Sequence, residues 1–252
     1  MTRLRILNGN ALKFLAAVLM VVDHIGFMFF PDILIFRIIG RLSMPMFALA
    51  LSEGCRYTKN KARHFALLFA LALLCQTVYY FFDDGSLYMC ILVTFSIAVL
   101  NIYAMQHLKK RLFDGSPVSK QAGAFLLFIG AVVGTYFLCN FCAPVIIDYG
   151  FWGCMTPVLA SVFDFRNINA PKSLKRLDCL PLRVLCLWLG LLFLALDWLS
   201  VTLLPFWALL SLPILLLYNG EKGKMKTKYF FYIFYPLHLV LLEGIYMWVY
   251  LL

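Results

Sequence analysis

The stretch Ala11-Leu12-Lys13-Phe14-Leu15-Ala16-Ala17-Val18-Leu19-Met20-Val21-Val22-Asp23-His24-Ile25-Gly26-Phe27-Met28-Phe29-Phe30 decides the fold. About 20 mostly apolar residues in a helix cross the hydrocarbon of a bilayer. The run shows none of the in-out alternation of a barrel strand, and lipid offers backbone groups no partner outside a helix or a closed barrel. It carries Asp23-His24 and lacks a small-x-small cleavage pattern, so it is expected to be retained and not removed as a signal peptide.

Eight further apolar runs follow, at about 33–54, 64–82, 87–107, 121–142, 149–163, 182–197, 200–218 and 229–251, the sixth and seventh of the nine being short. Of 252 residues, 63% are hydrophobic and only 13% charged, where a soluble domain carries roughly 25% charged residues. Those figures exclude a soluble globule, disorder, a coiled coil and collagen. The expected fold class is an all-α polytopic membrane protein of about nine transmembrane helices, with residues 1–252 forming a single transmembrane domain.

The formal net charge of +10 raises the question of nucleic acid, and the placement of the charges answers it. Basic residues fall on every second connection: Arg3, Arg5 and Lys13; Arg56, Lys59, Lys61 and Arg63; Lys109, Lys110, Arg111 and Lys120; Arg166, Lys172, Lys175, Arg176 and Arg183; Lys222, Lys224, Lys226 and Lys228. The connections at Pro31–Asp32, Asp83–Ser86, Asn140–Asp148 and Leu199–Ser200 carry none. By the positive-inside rule the N-terminus is cytosolic and the C-terminus extracytoplasmic. The charge is a topology signal, and no nucleic-acid partner is expected.

Two basic residues escape that pattern. Arg37 and Arg41 lie inside the second run, one helical turn apart on one face. A cation at mid-membrane costs about 2.5–3.5 kcal/mol on insertion scales; snorkelling serves Arg37 near the run's end, but not Arg41 one turn deeper. Asp23 and His24 lie at similar depth across the short Pro31–Asp32 turn, so the four residues can meet. Neighbours on a helix point about 100° apart, so Asp23 is expected to pair with an arginine while His24 faces a cavity. His238, within Tyr235-Pro236-Leu237-His238, and Asp148-Tyr149 at the outer mouth of the sixth run are further candidates. Each reads equally well as structural. Glu53 stands among Arg56 and Lys59, where an interfacial salt bridge is the plainer reading. The eight cysteines mostly lie within runs, as small apolar residues. Cys139 and Cys142 form a CxxC without a second pair, so no metal is expected there; a structural role or a disulfide remains open.

The motifs Leu12-Lys13, Val22-Asp23-His24-Ile25-Gly26, Gly40-Arg41-Leu42-Ser43-Met44-Pro45 and Glu53-Gly54, with Tyr218-Asn219-Gly220 and Phe234-Tyr235-Pro236-Leu237-His238, resemble the TraX family. The family's namesake acetylates the N-terminus of F-pilin, and a wider group of integral-membrane acyltransferases includes glucan succinylases and the lysosomal heparan N-acetyltransferase. The resemblance implies acyl transfer in a bacterial cell membrane, with acetyl-CoA as the acyl donor and co-substrate. It leaves the acceptor open: a glycan, a peptide or a lipid, offering a hydroxyl or an amine.

That chemistry assigns roles. A base must take the acceptor's proton, and His24 with Asp23 is the catalytic candidate. Cations must meet the oxyanion and the CoA phosphates, which suits Arg37 and Arg41. Glu53, Asp148, Tyr149 and His238 complete the candidate substrate or acyl-CoA binding set. The rival reading is a proton-coupled transporter or flippase, with the Asp/His/Arg cluster as its relay. An anchoring protein without chemistry is the third, and the buried charges argue against it.

Overall fold

The computed structural model describes residues 6–82, 85, 87–224 and 228–250. The expectations that fall on Arg3, Arg5, Asp83, Asp84, Ser86, Lys226 and Leu252 lie outside the described residues. The chain is an all-α polytopic membrane protein. Among the described residues, seven helices are long and apolar enough to cross a bilayer: Gly9–Phe29, Leu34–Tyr57, Lys61–Phe81, Ile91–Phe113, Val118–Phe141, Leu180–Asp197 and Phe230–Tyr250.

In chain order the elements are α1 (Gly9–Phe29), α2 (Leu34–Gly40), α3 (Ser43–Tyr57), α4 (Lys61–Phe82), β1 (Tyr88–Met89), α5 (Ile91–Phe113), α6 (Val118–Phe141), β2 (Ile146–Ile147), α7 (Gly150–Ala160), α8 (Lys172–Arg176) and α9 (Leu180–Asp197). A 3₁₀ run at Leu204–Ser211, α10 (Leu212–Leu216) and α11 (Lys228–Tyr250) complete the chain. The second span is two helices, and the sequence says why. Pro45 has no N–H for the Arg41 carbonyl, and its ring crowds that carbonyl, so the helix breaks one turn upstream at Arg41–Leu42.

The sixth run is helical but short, as expected; the seventh, expected to be short, is the 18-residue α9, and the eighth is the short one instead. α7 has 11 residues, a rise of about 16 Å. Leu204–Leu216 gains length because its first eight residues are 3₁₀, rising about 2 Å each. Backbone beyond such short helices needs internal partners in lipid, and it has them. Thr94 Oγ1 donates to the Asp148 carbonyl ahead of α7 at 2.7 Å. Past its end, Lys109 Nζ donates to the carbonyls of Ser161 (2.8 Å), Val162 (2.6 Å) and Asp164 (3.3 Å). Within the Leu204–Leu216 segment, Trp188 Nε1 adds a donor to the Leu209 carbonyl at 3.2 Å.

Several charges expected in connections lie on helices. Lys110 and Arg111 lie in the last turn of α5, with Lys109 just before it; cations there favour the negative end of the helix dipole. Arg183 lies in the first turn of α9 and is buried.

The core is built from Leu12, Met46, Leu49, Leu187, Leu191 and Leu215, with Ala16, Ala48, Ala72 and Ala160 fully buried between them. Small residues let helices approach closely, which is how helices associate where lipid removes the hydrophobic drive. Large apolar side chains such as Leu126 and Phe137 on α6, Leu73 on α4 and Trp248 on α11 are exposed on the bundle exterior. One end is fastened by polar contacts of Arg56, Lys109 and Arg183. The other is closed by the parallel pairing of β1 with β2, Tyr88 opposite Ile146 and Met89 opposite Ile147.

Candidate functional site

The far end from the basic residues holds the candidate site. The turn after α1, closed by the Ile33 N–H donating to the Phe30 carbonyl at 3.0 Å, sets α1 and α2 side by side. Two glycines let them touch. A Cβ on Gly26 would stand 2.3 Å from Phe36 Cβ, and one on Gly40 would stand 2.2 Å from Asp23 Cβ. The glycines of the two motifs thus bring Asp23 within reach of both arginines.

Asp23 Oδ2 accepts from Arg37 Nη1 and from Arg41 Nη2, each at 2.8 Å, and its Oδ1 accepts from Arg41 Nη2 at 3.1 Å. Arg37 also reaches the Asp23 carbonyl at 3.3 Å and lies over the Phe27 ring at 4.9 Å. One carboxylate therefore holds two guanidinium groups. Arg41 Nη1 donates onward to the Tyr149 hydroxyl at 3.0 Å, while its buried Nε has no partner.

Tyr149 precedes α7 with φ 60° and ψ 2°, the left-handed region, which costs a residue with a Cβ roughly 1–2 kcal/mol. That conformation turns its side chain toward Arg41. Next to it, Asp148 Oδ1 accepts from the Tyr88 hydroxyl at 2.7 Å, and its N–H donates to the Met89 carbonyl at 3.1 Å. Burial pushes the Asp148 carboxyl up to about 6, against the downward pull of the Tyr88 hydroxyl and the Arg41 charge.

His24 points elsewhere. Its Nδ1 lies 2.8 Å from the Met20 carbonyl; a carbonyl only accepts, so Nδ1 carries the hydrogen and Nε2 presents its lone pair. The Tyr79 hydroxyl donates to that Nε2 at 3.4 Å. The His238 ring meets His24 edge-on, centroids 5.2 Å apart. His238 Nδ1 donates to the Phe234 carbonyl at 3.1 Å, and its buried Nε2 has no partner.

Glu53 lies apart, at the basic end. Its carboxylate takes Arg183 Nη1 on one oxygen and the Tyr218 hydroxyl at 3.5 Å on the other. Arg183 also donates to Ser52 Oγ at 3.1 Å and to the Ala160 carbonyl at 3.2 Å. Arg56 pairs with Asp178 and, at 3.2 Å, with Asp164. Glu53 is therefore bonded to Arg183, a residue the charge pattern had placed in a loop, and its salt bridge is not with Arg56 or Lys59.

Asp23, Arg37, Arg41, Tyr149 and Asp148 thus form one connected network, His24 and His238 a second beside it, and Glu53 belongs to neither. Sequence reasoning missed Tyr79, Tyr88 and Thr94, which come from distant helices with no local signal. It also missed Arg183, whose apolar neighbours Leu182 and Val184 were a usable sign of burial. All eight cysteines are free thiols. Among the described residues no group of three or more His, Cys, Asp or Glu is placed to hold a metal ion. A cavity of about 520 Å³ between Cys139, Asn140, Phe151, Asp197 and Trp198 borders the strap at Ile146, Ile147 and Gly150. It opens beside the cluster without being lined by it.

A family model, that of the TraX protein, matches residues 8–246, nearly the whole chain. The chain belongs to the TraX family. A 54-residue stretch is 43% identical to the uncharacterized protein RP591 of Rickettsia prowazekii (strain Madrid E), covering 21% of this chain and 21% of that one. The chain therefore matches only about a fifth of the length of that relative. No solved structure matches it.

Proposed function

We propose that this TraX-family protein is a membrane acyltransferase that moves an acetyl or other short acyl group from cytosolic acyl-CoA to an acceptor on the opposite side. The acceptor offers a hydroxyl or an amine and is a glycan, a peptide or a lipid. The observation that carries the reading is His24. Its Nδ1 is tied to the Met20 carbonyl, so its Nε2 is held as a base, next in sequence to an aspartate that holds two guanidinium groups. A base takes the acceptor's proton, and fixed cations stabilise the oxyanion that forms at the thioester carbon.

In this reading the chain crosses the plasma membrane of a bacterium nine times as one domain, basic end in the cytosol and C-terminus outside. α7 and the Leu204–Leu216 segment make the sixth and eighth crossings, completed by backbone satisfied within the protein. CoA is then held from the basic side, and the acceptor reaches the Asp23–Arg41–Tyr149 network from outside.

Acetyl-CoA at millimolar concentration should raise the unfolding temperature of the detergent-purified protein, because a ligand bound only by the folded state stabilises it by RT ln(1 + [L]/Kd). Absence of any shift would sink the acyltransferase reading. A shift with an unrelated solute instead would favour a proton-coupled transporter.

A further inference from the structure

We infer that His24 and His238 divide the proton work of acyl transfer: His24 is the base for the acceptor and His238 the acid for the departing CoA sulfur. The inference rests on the acyltransferase reading and adds a second catalytic residue to it.

Two helices that meet along one seam, α1 and α11, each supply one imidazole by the same device. In both, Nδ1–H is committed to the carbonyl four residues earlier, Met20 and Phe234. The rings cannot exchange nitrogens without breaking that bond, so Nε2 is the working atom of each. The two differ in what Nε2 meets. His24 Nε2 has the Tyr79 hydroxyl at 3.4 Å, a long bond that an incoming hydroxyl or amine can replace. His238 Nε2 has nothing, although His238 is only 5% exposed. Phe234 stacks on its ring, centroids 5.2 Å apart, and Tyr235 meets it edge-on at 5.4 Å. A buried nitrogen without a partner forfeits the hydrogen bond it had in water. Aromatic walls fix this one, so it is kept facing a group that the free protein lacks.

The balance of the reaction supplies that group. The acceptor's O–H or N–H gives its proton to His24 Nε2 as the oxygen or nitrogen bonds to the thioester carbon. The carbon–sulfur bond then breaks, and the sulfur takes the proton from His238 Nε2, leaving as the thiol. Both imidazoles start neutral, each with its hydrogen on Nδ1: the proton that His24 takes from the acceptor passes to His238 Nε2 across rings 5.2 Å apart and from there to the sulfur, so the pair ends as it began. His24 is the more open of the two, as the residue that meets an acceptor from outside must be.

A change of leaving group tests this. Hydroxylamine serves as the acceptor, and two acetyl donors are compared: acetyl-CoA, whose alkyl thiolate needs a proton, and S-acetyl-4-nitrothiophenol, whose thiolate leaves without one. With acetyl-CoA, His238→Gln is expected to lose about 10²–10⁴-fold in turnover. With the activated donor it should come within about tenfold of the parent protein. His24→Gln should stay inactive with both. An acetyl-CoA-induced rise in unfolding temperature retained by His238→Gln certifies the fold. An equal loss with both donors, or no loss with either, overturns the inference while parental turnover upholds acyl transfer. A parent protein that transfers nothing sinks both.

Discussion

The protein buries charge at both ends, and the two ends use it differently. At the basic end Arg183 and Arg56 meet Glu53, Asp164 and Asp178, while Lys109 is held by three carbonyls. Each cation there is tied to a different piece of chain: α3 to α9, α3 to the 164–178 loop, α5 to the end of α7. At the far end two guanidinium groups converge on the single carboxylate of Asp23, and the next carboxyl, Asp148, is reached only through Tyr149 and its own backbone. The first arrangement fastens the bundle, and the second leaves two cations sharing one carboxylate, the excess of positive charge on which the proposed acyl transfer would draw. Burial of charge does not mark a site; an imbalance of charge does.

The largest expected effect tests the fastening role. Arg183→Leu leaves Glu53 buried without its cation, which costs about 3–5 kcal/mol and should show as a large fall in unfolding temperature in detergent. Adding Glu53→Gln removes the stranded charge and should recover most of the loss. A stable Arg183→Leu protein that instead binds acetyl-CoA weakly would move this pair into the donor site and dissolve the contrast between the two ends.

An intermediate effect is expected at Arg41. Lysine keeps the charge beside Asp23 but cannot reach Asp23 and Tyr149 together, because it lacks the planar fork. Arg41→Lys should therefore lose about 10²-fold in acetyl transfer with little change in unfolding temperature. Full turnover would mean that the far end needs only a positive charge, not this geometry.

The sequence makes the far end more legible than the basic end, for a local reason. Asp23, Arg37 and Arg41 lie within one helical hairpin, so a short turn and a helical period bring them together. The glycines that let α1 and α2 touch stand in the same motifs. The Glu53–Arg183 pair joins residues 130 apart in sequence, and no periodicity predicts which distant helix supplies the partner. Counting Arg183 and Lys109 as topology charges was right about the end of the bundle and wrong about their exposure. Only α7 is visible as a short run: the other short helix, Leu204–Leu216, falls in the eighth run at 200–218, and the seventh run, short in sequence, is the 18-residue α9. What completes α7, a threonine on one side and a lysine on the other, depends on α5 lying against α7, and that is tertiary information.

The smallest effect concerns Asp148 and gives the contrast a pH signature. Its carboxyl is held near 6 in the folded protein, whereas an unfolded aspartate titrates near 3.9. Between about pH 4 and 6 the folded state therefore binds the extra proton, and stability falls as pH rises through that window. Asp148 is half-buried, so solvent screening keeps the effect under about 1 kcal/mol, a few degrees at most for a chain of this size. Asp148→Asn keeps an acceptor for the Tyr88 hydroxyl and removes the titration, so the drop in unfolding temperature from pH 5 to pH 7.5 should be smaller in the variant. An unchanged drop would mean that the Asp148 carboxyl is already ionised at pH 5. In that case Arg41 is matched by a second full negative charge, and the far end is as balanced as the basic end.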